Sequence, residues 1–231
     1  MSFSSRNPST DKSRYERVSI EAADLALEGR LALVSDANQP GLVLCHPHPL
    51  MGGSMDDSRL VTLSRAAVAA GINTLRFNFR GVGQSQGKFG HGVGEIQDTI
   101  TAVNYLRNHP YVQGSRIALL GYSFGGSIAL AAAMDATPVA LVTISALFRL
   151  PDLDPSIVTE ALRFIPCPTY VLHGREDRTV NPVEAEAIFA KLQVKEKYLR
   201  VIRGANHFWS RRLGTIVPMI IAFLRDKLDM K

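Results

Sequence analysis

Two stretches near the start of the chain, "RVSIEA" and "LALEGRLALVS", alternate apolar and polar residues, which predicts a pair of antiparallel strands. The rhythm then changes to short apolar runs, each followed by a longer helical pattern. "GLVLCH" reads as a buried strand and is followed by a helix from about Asp57 to Ala70. "INTLRFNF" precedes a helix from about Val93 to Asn108, and "RIALLGY" one from about Phe124 to Met134. After "VALVTISA" comes a Pro-rich stretch, Leu150 to Pro168, read as irregular. "TYVLHG" leads to a helix from Pro182 to Leu192, and "KYLRVI" to a closing helix from about Thr215 to Leu228. Strands alternating with helices imply a mainly parallel sheet covered on both faces, an α/β fold. Chemistry in such sheets lies in loops at the carboxyl ends of the strands.

Composition changes this picture little. A chain of 231 residues with 46% hydrophobic and 20% charged residues has the make-up of a globular α/β domain. We read residues 15–231 as one such domain, and the polar residues 1–14, which lack an apolar h-region, as a disordered tail rather than a secretory signal. The net charge of +5 raises nucleic acid as a partner, but the basic residues are dispersed and form no stripe, so neither nucleic acid nor membrane is expected. Cys45 and Cys167 sit in or beside apolar stretches without CxxC spacing, which suits buried thiols in a reducing, cytoplasmic setting.

The pattern G-x-S-x-G occurs twice, as "GQSQG" at 83–87 and "GYSFG" at 121–125. A nucleophile elbow needs an apolar strand directly before it and a helix directly after. "GYSFG" has "RIALL" before and "GSIALAAAM" after, whereas "GQSQG" runs into a glycine-rich loop. Ser123 is therefore the candidate nucleophile and Ser85 a decoy. A serine hydroxyl needs a base, and the base needs a carboxylate to orient it. In this arrangement acid and histidine follow the serine along the chain. Only His173 and His207 lie beyond Ser123, and His173 precedes the nearby acids, which leaves His207 as the base. "HGREDRTVNP" supplies Glu176 and Asp177 as acids, with Asp152 and Asp154 as fallbacks after the preceding strand.

Together, "CHPHPLMGGSMDD", "LRFNFRGVGQSQG", "GYSFGG", "VLHGREDRTV" and "GANHFW" resemble small, capless bacterial serine hydrolases of the α/β-hydrolase superfamily, over essentially everything from residue 16. The resemblance implies Ser123, Asp177 and His207 as nucleophile, acid and base. It also implies an oxyanion hole of two backbone N–H groups, one from Phe124 and one from the loop 46–53. Pro47 and Pro49 have no N–H, so the loop's donor comes from His48, Leu50, Met51 or the glycines. Setting "HPL" against the common "HG-x" turn favours Leu50.

The pair His46 and His48 raises a rival, a hydrolytic metal site. A His-x-His-x-Asp-His arrangement would have an acid and a third histidine where Leu50 and Met51 stand, and His91 and His109 are remote in sequence. His46, His48 and Met51 are instead expected to wall the pocket. The reading is hydrolysis of small or short-chain carboxylic esters through an acyl-enzyme, with no metal or organic cofactor required. Cleavage of amides or peptides by the same residues, or ligand binding without turnover, are the alternatives. The segment between "VALVTISA" and "TYVLHG", about twenty residues, is too short for a large lid.

Overall fold

The computed structural model describes residues 14–22, 25–151 and 153–230. The tail expected over 1–14 lies outside the described residues except for Arg14, which opens the first strand, and the fallback acid Asp152 lies outside them too. β1 (Arg14–Ala22) and β2 (Leu25–Leu33) pair antiparallel, with Ala22 opposite Leu25. β3 (Gln39–Cys45), β4 (Asn73–Phe77), β5 (Val112–Tyr122), β6 (Ala140–Ile144), β7 (Thr169–Gly174) and β8 (Lys197–Ile202) run parallel. All eight form one sheet in the order β1-β2-β4-β3-β5-β6-β7-β8.

Apolar runs without alternation become these central strands because both sheet faces are covered. α1 (Ser58–Ala69) and α6 (Leu213–Lys227) bury Leu60, Leu63, Ile216 and Ile220 against one face. α2 (Val93–Arg107), α3 (Phe124–Ala136), α4 (Pro155–Phe164) and α5 (Val183–Lys191) cover the other, through residues such as Val103, Ile128, Leu162 and Ile188. α3 is buried along most of its circumference, and its run of glycine and alanine lets it fit tightly against α2, α4 and the sheet.

α4 corrects the sequence reading, which left Leu150 to Pro168 irregular. Pro155 reads as a breaker, yet it sits in the first turn, where a helix has no use for its N–H. Asp154 caps that turn by accepting from the Ser156 N–H at 2.8 Å. Val158, Ala161 and Leu162 then fall on one buried face. Among the described residues, the connection between β6 and β7 thus carries one short helix and no cap domain.

Strand order decides where the site lies. From β3 the chain passes to β4 on one side and then crosses to β5 on the other. The loops after β3 and β5 therefore diverge from neighbouring strand ends, with Cys45 paired to Gly121. Such a switch point leaves a crevice at the carboxyl edge of the sheet.

Candidate active site

Ser123 follows β5 at once and precedes the first residue of α3, so the chain must reverse within one residue. It does so at φ 55°, ψ −123°, backbone that a side chain rarely adopts. The two flanking glycines are required by close approach. A β-carbon on Gly121 would stand 2.1 Å from the Gly125 carbonyl oxygen, and one on Gly125 would stand 2.4 Å from the carbonyl oxygens of Cys45 and His46. That second contact presses the end of β3 against the elbow.

Ser123 Oγ lies 3.0 Å from His207 Nε2, and His207 Nδ1 lies 2.8 Å from Asp177 Oδ2. The Nδ1 nitrogen must donate to the carboxylate, which leaves Nε2 with its lone pair toward the serine. The other carboxylate oxygen of Asp177 accepts from the N–H groups of Thr179 and Val180 at 2.9 and 2.8 Å. Burial would raise this carboxyl. The hydrogen bonds from His173, His207 and the Val180 N–H outweigh it and hold the group well below the usual carboxylate range. Of the other acids considered, Glu176 is exposed and Asp154 is the cap of α4.

Two supporting roles went unread in the sequence, that of His173, considered there only as a base, and that of Tyr122. His173, fully buried at the end of β7, donates from Nε2 to the Val180 carbonyl at 3.0 Å and stands 3.3 Å from Asp177 Oδ2. Its position four residues before the acid, on the strand that delivers it, was the available signal. Tyr122 donates its hydroxyl to the His207 carbonyl at 2.9 Å and so holds the loop that carries the imidazole. No local pattern announces that contact.

The loop at 46–53 differs from expectation in two respects, at Leu50 and at His46. Pro49–Met51 form a 3-10 turn capped by His48, whose Nδ1 accepts the Leu50 N–H at 3.2 Å. Leu50, expected as the second oxyanion donor, is thereby engaged within the loop, and its side chain is exposed. The N–H groups of Met51 and Gly53 go to the His48 carbonyl and that of Gly52 to Pro49. The His48 ring packs tilted against Phe124, with ring centres 4.8 Å apart. Pro47, His48 and Met51 line one cavity of about 270 Å³ together with Ser123 and His207. As the first residue of α3, Phe124 has no intrahelical acceptor for its N–H.

His46 lies behind this cavity rather than on its wall. Fully buried, it donates from Nδ1 to the Pro47 carbonyl at 2.6 Å and accepts at Nε2 from the Phe79 N–H at 3.1 Å. Nε2 thus ties the loop to the end of the neighbouring strand, while Nδ1 braces the loop on itself. Among the described residues, no group of three or more His, Cys, Asp or Glu side chains is placed to hold a metal.

Burial pushes the His46 imidazole down from 6.5 to about 4, against the opposing pull of its bond to Pro47. The folded chain then keeps it neutral where the unfolded chain would take a proton. Its contribution is complete above pH 6.5 and is lost as the pH falls toward 4. Urea titrations across that window are expected to show about 3 kcal/mol more acid destabilisation in the wild type than in His46→Gln. Parallel stability curves would refute the assignment.

A family model described as X-Pro dipeptidyl-peptidase (S15 family) matches residues 6–158, a stretch that includes Ser123 and ends before Asp177 and His207. An uncharacterised protein of Rickettsia prowazekii is 33% identical over 191 residues, covering 79% of this chain and 77% of that one. Among solved structures, a protein of unknown function from Agrobacterium tumefaciens, grouped with the α/β hydrolases, superposes with a TM-score of 0.81 at 26% identity, covering 93% of this chain and 97% of that one. A Xanthomonas campestris protein described as an α/β serine hydrolase without lid gives 0.75 at 26% identity, covering 96% and 97%.

Proposed function

The chain belongs to the family described as X-Pro dipeptidyl-peptidase (S15 family) and has the α/β-hydrolase fold, and from that premise we propose that it is a serine hydrolase of small carboxylic esters. The observation that carries this reading is the unbroken line from Asp177 through His207 to Ser123, with contacts of 2.8 and 3.0 Å, at the edge of an open cavity. In the proposed reaction Ser123 Oγ attacks the ester carbonyl carbon as its proton passes to His207 Nε2. Asp177 holds the imidazole in the required tautomer and stabilises the imidazolium. The imidazolium then gives its proton to the departing alcohol, and water, deprotonated by His207, releases the acid and regenerates the serine.

The tetrahedral oxygen requires two N–H donors. We assign the Phe124 N–H and, from the loop, the His48 N–H, because His48 follows Pro47 directly beside the elbow and shares the cavity with Ser123. The cavity of about 270 Å³ is just below the usual range for ligand sites, which favours short acyl groups. The family description favours a second reading, release of a dipeptide. That reaction would call for a carboxylate to receive the peptide's terminal ammonium. Asp57, on the cavity wall, is bound to the Arg59 guanidinium instead, and this supports the ester reading.

A fluorophosphonate probe is expected to label the purified protein once, on the peptide that contains Ser123, and labelling should persist after exhaustive EDTA treatment. An adduct on Ser85, or none at all, would end the proposal. So would stoichiometric zinc with activity lost on chelation and restored by metal.

A further inference from the structure

Away from Ser123, three adjacent strands carry an arginine at the same level. Arg17 on β1 is the direct partner of Arg30 on β2, and Arg30 is the direct partner of Arg76 on β4. Directly opposed residues of antiparallel strands project from the same face, and like charges so placed repel. Three guanidinium groups therefore stand in one row at a cost to the sheet. Arg65, from α1, joins them in lining a cavity of about 630 Å³. It shares no lining residue with the cavity at Ser123.

The carboxylates in this cavity do not balance the cations. Asp56 serves two arginines at once, with one oxygen 3.3 Å from Arg30 Nε and 3.1 Å from Arg76 Nη1. Glu16 is taken by Arg14 at 2.5 Å. Among the described residues neither Arg17 nor Arg65 has a carboxylate partner.

We infer that this cavity, between α1 and the β1-β2-β4 edge of the sheet, binds a small molecule through a phosphate or diphosphate group. Guanidinium presents a planar fork of donors that matches phosphate oxygens, and several such forks converging on one space suit a multiply charged oxyanion. The volume is that of a small-molecule site. A nucleic-acid strand would instead need basic groups spaced along an extended face. An anion here would also relieve the repulsion along the row.

Calorimetric titration of the full chain with inorganic pyrophosphate in 150 mM salt (about 8 Å of screening length) tests this. Saturable one-site binding is expected, retained by Ser123→Ala and by Arg203→Gln, whose side chain is exposed elsewhere. The double variant Arg17→Gln, Arg65→Gln should bind about tenfold or more weakly. Both substituted residues are exposed and the Asp56 pairs remain, so thermal melts should show the variant folded. The inference is overturned by absence of saturable binding, by equal affinity in the folded double variant, or by binding seen only with duplex oligonucleotide.

Discussion

Ser123→Ala is expected to abolish hydrolysis of short-chain p-nitrophenyl esters, lowering kcat by on the order of 10⁴-fold or more, while Ser85→Ala keeps most of it. The contrast is sharp because both serines sit in the same five-residue pattern. Ser85 Oγ donates to the Asn78 carbonyl at 2.7 Å and accepts the Glu28 N–H at 2.9 Å, so both of its hydrogen-bonding roles serve the join between β2 and the loop after β4. Removing it leaves the Glu28 N–H without that acceptor and should cost about 1–3 kcal/mol of stability. Steady-state rates and urea melts on the two variants read these effects separately. Equal activity in both would mean that the nucleophile lies elsewhere.

Asp177→Asn should lower kcat by roughly 10⁴-fold with far less effect on KM. An amide at this place can turn its NH₂ group toward His207 Nδ1, which makes Nδ1 the acceptor and puts the ring proton on Nε2, facing Ser123. In that tautomer the ring cannot take the serine proton. A second readout follows from the depressed carboxyl, held down by His173, His207 and the Val180 N–H against its burial. A depressed carboxyl adds stability above the unfolded carboxylate value, near 4, and loses it as the pH falls toward the folded value. The wild type should therefore lose stability below about pH 4 more steeply than Asp177→Asn. Asp154→Asn, at the cap of α4, should keep its activity. If that variant carried the loss of kcat, the acid would belong after β6.

Much of the fold is legible in the chain because its signals are local. Alternation in "RVSIEA" and unbroken apolar runs such as "IALL" and "ALVTI" record whether a strand has one covered face or two, and strand pairing follows them here. α4 was missed because proline was weighed as a breaker without regard to its place in the first turn. The elbow is also local, since a strand, a reversal and a helix within a few residues can be read without knowing what they touch.

Allocation of hydrogen bonds is a different kind of fact. Local context already marks "GQSQG" as no elbow, but what Ser85 does instead, accepting the N–H of Glu28 from 57 residues away, is not written in that context. Leu50 was a reasonable oxyanion donor until the His48 ring folded back to accept its N–H. His173 was set aside by chain order, yet its ring stands 3.3 Å from the carboxylate that also meets His207. By itself the sequence determined the order of strands and helices and which serine sits on a strand-to-helix turn, because those depend on neighbours along the chain. It also named His207 and Asp177, but only the tertiary structure decided which N–H groups are engaged elsewhere and which further side chains, His173 and Tyr122, support that line. Each donor and acceptor in a buried site has few partners, and the partners come from segments that only the sheet brings together.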